Sequence, residues 1–307
     1  MAETHAAIGV KVNIMNPHFA IKSAVSVAAN AARETNIGSM LLDMGKITAE
    51  EAERVLHLQK EEGLRFGDAA QKLGLITESD IRQVLSFQFE YPYLQPEQGN
   101  FDPLLVAAYQ PFSRQVESLR ALRSQLLLRW FNEDHKSIAL VSPNAGEGCS
   151  HLAANLAVVF SQLGEHTLLV DANMREPSQH KIFNLGERRG LSDILAGRAN
   201  MATITRVESF VDLSVMGAGT VPPNPQELLG RSTFNIFMND ARAHYDVIII
   251  DTPPAAHNSD AQTIAARCGG ALLVSHLNNT RINELTRVRD QMTGSGVRIV
   301  GAVVNDF

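Results

Sequence analysis

A short loop, Ser142-Pro143-Asn144-Ala145-Gly146-Glu147-Gly148-Cys149-Ser150, has the composition to cradle a phosphate. It follows an apolar β-like run, Ser137 to Val141, and precedes a helical run, His151 to Leu163. Gly146 and Gly148 let backbone N–H groups approach an anion, and the start of a helix adds the positive end of its dipole. A loop of the form G-x-x-x-x-G-K-[ST] places a lysine on the β- and γ-phosphates and a hydroxyl on Mg²⁺. Ser150 supplies that hydroxyl, but Cys149 stands where the lysine belongs. The loop points to a nucleotide and withholds the cation that phosphoryl transfer uses. Its candidate ligand contacts are Asn144, Ala145, Gly146, Glu147, Gly148, Cys149, Ser150 and His151. Cys149 is open to two readings: a redox handle, because a helix N-terminus lowers a thiol's pKa, or a neutral replacement of an unneeded lysine.

Two further runs end in acids. Leu168-Leu169-Val170-Asp171 leads into Ala172-Asn173-Met174-Arg175-Glu176-Pro177, and Val247-Ile248-Ile249-Ile250-Asp251 leads into Thr252-Pro253-Pro254. A carboxylate at a strand end beside a phosphate loop holds Mg²⁺ or its water shell. Four apolar β residues followed by Asp form the Walker B pattern, in which the carboxylate orients Mg²⁺. Either acid alone could merely cap a helix or turn; together with the loop they predict a nucleotide site in which Ser150, Asp171 and Asp251 ligate Mg²⁺. The ten histidines show no H-x-x-x-H or Cys/His spacing, so no other metal site is assigned.

These motifs need a sheet to hold them. From Ser137 onward, β-like runs alternate with helical stretches; the clear strands are 137–141, 166–170, 213–216, 247–250, 271–275 and 299–304. That alternation predicts an α/β fold, a mainly parallel sheet with helices on both faces. Ligands in such sheets sit beyond the carboxyl ends of the strands. The chain has 307 residues, 45% apolar and 20% charged, with net charge −6. That balance gives no reason to expect nucleic acid, whose binders carry basic patches. Two cysteines make no disulfide framework and suggest a reducing compartment. No apolar stretch approaches the roughly 18–20 residues that span a bilayer, and Met1 to Lys11 lacks a secretory pattern. The expectation is a cytoplasmic protein that meets the membrane only through a partner.

The front of the chain repeats itself. Gly38 and Gly67, Gly45 and Gly74, Ile47 and Ile76, and Gln59 and Gln88 are each 29 residues apart. A fixed period marks repeated supersecondary units. Each unit reads as a short helix, a glycine turn and a second helix, with Gly45 and Gly74 at the left-handed C′ position. Thr48 and Thr77 cap the second helices, with Glu51 and Asp80 three positions on. Segment 36–96 resembles the N-terminal domain of type II secretion and pilus assembly ATPases. One branch of that family binds cyclic di-GMP through tandem R-L-G-x-x-L-x-x-x-G-x-I motifs, which the resemblance maps onto Gly38, Arg65 and Gly67; the first copy has Asn36 where the arginine is expected. Two readings stay open, a helical docking module and a cyclic di-GMP receptor. Residues 1–35 form an N-terminal lead, a helix or a disordered stretch, and the turn-rich segment 97–111 reads as a linker.

Residues 112–307 resemble the bacterial tyrosine kinase family, EpsG-type members in particular. The resemblance rests on S-P-x-x-G-E-G-x-S, L-L-V-D-x-x-x-R-x-P and I-I-I-D-T-P-P in this order. It also rests on Gly190-Leu191-Ser192-Asp193-Ile194-Leu195-Ala196-Gly197 and on Pro222-Pro223-Asn224-Pro225-Gln226-Glu227-Leu228-Leu229. It implies a P-loop fold, ATP and Mg²⁺ as cofactors, catalytic roles at Asp171, Asn173, Arg175 and Asp251, and exopolysaccharide chain-length control with a membrane chain-length determinant as partner. Glu117, Arg120 and Arg123 match the E-x-x-R-x-x-R helix used for ring assembly; the same residues also suit a solvated face with i, i+3 ion pairs. Three departures are visible. Cys149 replaces the lysine, Asn173 replaces the second acid of D-x-D, and the tyrosine cluster that ends family kinases is not matched, the four tyrosines being Tyr91, Tyr93, Tyr109 and Tyr245. Losing one transition-state donor costs about 2.7–4 kcal/mol. The expectation is a regulator with impaired phosphoryl transfer; an active autokinase and a partition-type ATPase of the deviant Walker class are the alternatives.

Overall fold

The apolar runs that end in Asp171 and Asp251 lie side by side in a seven-stranded sheet. The structure is a computed structural model and describes residues 37–78, 80–81, 84, 94, 99–186, 188–256 and 258–306. The strands are β1 (Ser137–Val141), β2 (Thr167–Asp171), β3 (Thr205–Arg206), β4 (Leu213–Met216), β5 (Val247–Asp251), β6 (Gly270–His276) and β7 (Arg298–Asn305). Their order is β3-β4-β2-β5-β1-β6-β7, parallel throughout except for the antiparallel β3–β4 pair. The α/β expectation therefore holds, with β3 added at one edge.

Every residue of β1, β2 and β5 is buried, as strands covered on both faces require. Successive side chains serve opposite faces. Ile138, Leu140, Leu169 and Ile249 pack with the helices Arg114–Arg129 and Cys149–Ser161. Ala139, Val141, Leu168, Ile248 and Ile250 pack with Ser232–His244, Asp260–Cys268 and Ile282–Gly294. The sheet is thus packed between two cores.

The linker expected at 97–111 is corrected for its described part. Leu105, Ala107 and Ala108 are fully buried in the first core. The Tyr109 hydroxyl donates to the Gly99 carbonyl (2.8 Å) and accepts from the Phe101 N–H (3.0 Å). The Ala107 N–H donates to Asn155 Oδ1 at 2.8 Å. The prolines and polar residues before position 104 drew attention away from the apolar run Leu104 to Tyr109, whose burial outweighs the turn signals.

The chain divides into two compact units between Phe89 and Glu90. The first is helical: Ile37–Asp43, Ala49–Glu62 and Phe66–Lys72, with helical backbone again at 78, 80, 81 and 84. Leu41, Val55, Ala69, Ala70 and Val84 form its core. Gly45 and Gly74 take φ of 65° and 68°, the left-handed turns that the repeat predicts. Thr48 and Glu51 form a full capping box, and Thr77 pairs with Asp80 in the same way. Gly38 and Gly67 have packing roles: a Cβ would meet Phe66 at 3.0 Å and Ile81 at 3.1 Å. Residues 1–35, Leu85 and Gln88 lie outside the described residues, as do Tyr91 and Tyr93.

Candidate functional site

Asp171 and Asp251 are the last residues of neighbouring parallel strands and stand in register, both fully buried. Two carboxylates so placed cannot both stay ionised cheaply. Burial raises both pKa values, and the Asp251 charge raises Asp171 further. Backbone donors partly offset this at Asp171: Oδ1 accepts from the Asn173 N–H (3.1 Å), and Oδ2 from the N–H groups of Ser178 and Gln179, each at 2.9 Å. Asp251 Oδ2 accepts from Gln179 Nε2 at 2.8 Å. Asp251 Oδ1 is buried without a hydrogen-bond partner. An orphaned buried carboxylate oxygen calls for a cation or a water. The donor set of Ser150, Asp171 and Asp251, all oxygen, therefore fits Mg²⁺. Among the described residues no group of three or more His, Cys, Asp or Glu forms a metal cluster.

The loop has the backbone that a phosphate requires. Gly146 and Gly148 adopt φ of 77° and 78°, and the helix Cys149–Ser161 begins directly after them. Glu147 locks the loop from inside. It is 1% exposed; its carboxylate accepts from the Asn144 N–H (2.9 Å) and from Thr280 Oγ1 (2.6 Å), while its carbonyl accepts from Asn305 Nδ2 (2.8 Å). Asn144 Nδ2 also reaches Glu284 Oε2 at 2.9 Å. The loop thus contributes carboxylate and no lysine or arginine. Cys149 does not compensate: burial, then the charge of Asp251, pushes its thiol well above the ordinary value. His151 lies 3.7 Å from Asp102.

The other predicted residues take quieter positions. Asn173 shapes the turn after β2, its Oδ1 accepting from the Glu176 N–H at 3.1 Å. Arg175 Nε donates to the buried Asp260 carboxylate at 2.7 Å. Glu117 and Arg120 pair with each other on Arg114–Arg129, and Arg123 Nη1 donates to the Val159 carbonyl at 2.6 Å. Gly38, Arg65 and Gly67 belong to the helical unit, with Arg65 flanking the start of Phe66–Lys72. Sequence reasoning missed Gln179, whose Nε2 bridges Asp251 to the Ser150 carbonyl (3.0 Å). It also missed Thr280, Glu284 and Asn305, which lie more than 130 residues from the loop they fasten.

Residues 134–306 match the ParA family, described as NUBPL iron-transfer P-loop NTPase. The putative tyrosine-protein kinase CapB of Staphylococcus aureus is 34% identical over 196 residues, 64% of this chain and 86% of that protein. The tyrosine-protein kinase YwqD of Bacillus subtilis is 32% identical over 201 residues, 66% of this chain and 85% of that protein. Among solved structures, that of the chimerical protein CapA2B2 superposes with a TM-score of 0.63 at 33% identity, covering 75% of this chain and 98% of that one.

Proposed function

We infer the function from a family premise: the chain belongs to the bacterial tyrosine-protein kinase family and carries a ParA-like P-loop NTPase domain. On that premise we propose a nucleotide-binding, kinase-like regulator of capsule or exopolysaccharide export whose phosphoryl transfer is impaired. The observation that carries the reading is the pairing of an intact carboxylate site with a loop that lacks a fixed cation. Ser150, Asp171 and Asp251 would hold Mg²⁺, and the loop from Asn144 to His151 would hold the phosphates of ATP. Bound Mg²⁺ would supply the charge that neutralises phosphate oxygens. What the chain itself lacks is the lysine, whose place is taken by a buried neutral thiol. It also lacks a proton acceptor at position 173, where an amide cannot replace a carboxylate and its oxygen is already bonded to the Glu176 N–H.

The proposed partner is a membrane chain-length determinant, which would bring the protein to the cytoplasmic face of the membrane; no described helix is long and apolar enough to cross one. Self-association into a ring would use Glu117, Arg120 and Arg123. For the helical unit we propose a docking role, because packing against Phe66 and Ile81 already accounts for Gly38 and Gly67. Cyclic di-GMP binding there would have to rest on Arg65.

The test is a pair of calorimetric titrations of the full chain, ATP–Mg²⁺ and cyclic di-GMP, with a phosphotyrosine assay. The expected result is weak ATP–Mg²⁺ binding, no heat with cyclic di-GMP and no phosphotyrosine. Autophosphorylation that disappears in Asp251→Ala would replace this reading with an active autokinase, and tight cyclic di-GMP binding would overturn the docking role.

A further inference from the structure

A cavity opens at the carboxyl ends of β2 and β4, with a volume of about 590 Å³. Pockets of about 300–1,000 Å³ suit small ligands. One wall is the segment after β2, which contributes His180, Lys181, Arg188 and Arg189; the other is the segment after β4, Gly217 to Val221, with Thr220. A smaller cavity of about 360 Å³ adjoins it, sharing Arg188, Arg189, Thr203 and Thr205 and adding Arg206. No aspartate or glutamate lines either cavity among the described residues. This concentrates cations in a chain whose net charge is −6.

Among the described residues, no acid pairs with the cations of this cluster. Asp193 is engaged by Arg198 and Thr220. Arg189 Nη1 and Arg206 Nε donate to backbone carbonyls rather than to carboxylates. Lys181 and Arg188 form no ion pair among the described residues. Guanidinium groups match phosphate geometry through paired N–H donors. The two joined cavities give room for two anionic centres.

We propose that this cavity binds a phosphate-bearing ligand with two or more anionic centres, either a free diphosphate or a phosphorylated segment of another protein. The site stands apart from the nucleotide reading, yet the two are joined. His180 and Lys181 share the short helix Gln179–Ile182 with Gln179, which touches Asp251 and Ser150. A ligand that draws on His180 and Lys181 would shift that helix and so report to the nucleotide loop.

The experiment titrates the full chain with pyrophosphate, with a doubly phosphorylated tyrosine peptide and with that peptide unphosphorylated. Because the phosphate loop could also take pyrophosphate, variants must locate the site. Arg188→Gln and Lys181→Gln, both exposed positions, are expected to weaken pyrophosphate or phosphopeptide binding tenfold or more while leaving the ATP–Mg²⁺ heat unchanged. Binding of pyrophosphate without the phosphopeptide identifies a free diphosphate; tighter phosphopeptide binding identifies a protein segment. Binding that neither variant alters, or no binding by either phosphorylated probe, overturns the proposal. Loss of ATP–Mg²⁺ heat in the unaltered chain, with variant-sensitive pyrophosphate binding retained, would overturn the nucleotide reading and leave this site standing.

Discussion

Cys149 decides how much of a nucleotide site remains. Its surroundings favour the neutral thiol twice over, through burial and through the negative charge of Asp251. A lysine there would face the same desolvation but would gain Asp251 and bound phosphates as partners. Cys149→Lys should therefore raise ATP–Mg²⁺ affinity by about tenfold or more, the scale of one charge-assisted contact, as read by calorimetry. Unchanged affinity would show that the loop no longer seats phosphate. The sequence disclosed the glycines, Ser150 and both acids because motif order alone places them at strand ends. It did not disclose Gln179, since a glutamine eight residues past Asp171 carries no pattern; only the fold turns its amide onto Asp251. Nor did it disclose the inward role of Glu147, which Thr280 and Asn305 define from the far end of the chain.

Elements were legible where period and burial agree. The runs ending in Asp171 and Asp251 are β strands because apolar β-branched and leucine side chains fill both faces. β3 escaped notice because two residues pairing at an edge leave no periodic trace. The buried part of segment 97–111 was hidden by its turn-forming flank. The Gly190–Gly197 motif acquires a physical reason from the fold. A Cβ on Gly190 would lie 2.1 Å from the Gly217 carbonyl oxygen and 2.5 Å from the Gly219 nitrogen, both backbone atoms. The helix Leu191–Leu195 is tied to that turn by Leu191 N–H to Gly217 O and Ser192 N–H to Ala218 O, each at 2.9 Å. Gly190→Ala must push the turn after β4 away and break those bonds. The expected cost is about 2–4 kcal/mol, combining overpacking with lost hydrogen bonds, measured as a fall in the denaturant midpoint of the α/β unit. Because that turn also walls the cationic cavity, the same variant should weaken pyrophosphate binding. A neutral effect on stability would mean that the turn is free to move.

At the scale of the whole chain, the two units carry carboxylates with opposite linkage to folding. In the α/β unit, Asp171 and Asp251 have raised pKa values, chiefly through burial. The folded unit thus holds protons that the unfolded chain releases. The contribution of this pair is greatest below the ordinary Asp pKa and is lost as pH rises through the raised values. In the helical unit, burial opposes the charge of Asp80, but hydrogen bonds from Lys46 and Thr77 win and hold its pKa down to about 2. That contribution is present above the ordinary Asp pKa and is lost as pH falls toward 2. Thermal scans should therefore show two responses. Between pH 5 and pH 8 the α/β transition should fall, by on the order of 1–3 kcal/mol or roughly 2–10 °C for a unit of this size, while the contribution of Asp80 to the helical unit stays constant. Below pH 4 the helical unit should lose the contribution of Asp80. Asp251→Asn removes one partner of the buried pair and should flatten the α/β response, and Mg²⁺ with ATP should flatten it in the unaltered chain by giving the two carboxylates a cation. An α/β transition that holds level from pH 5 to pH 8 in the free chain would mean that the backbone donors to Asp171 and the Gln179 amide already compensate both charges, and the site would then have less to gain from Mg²⁺ than its buried, unpartnered Asp251 oxygen implies.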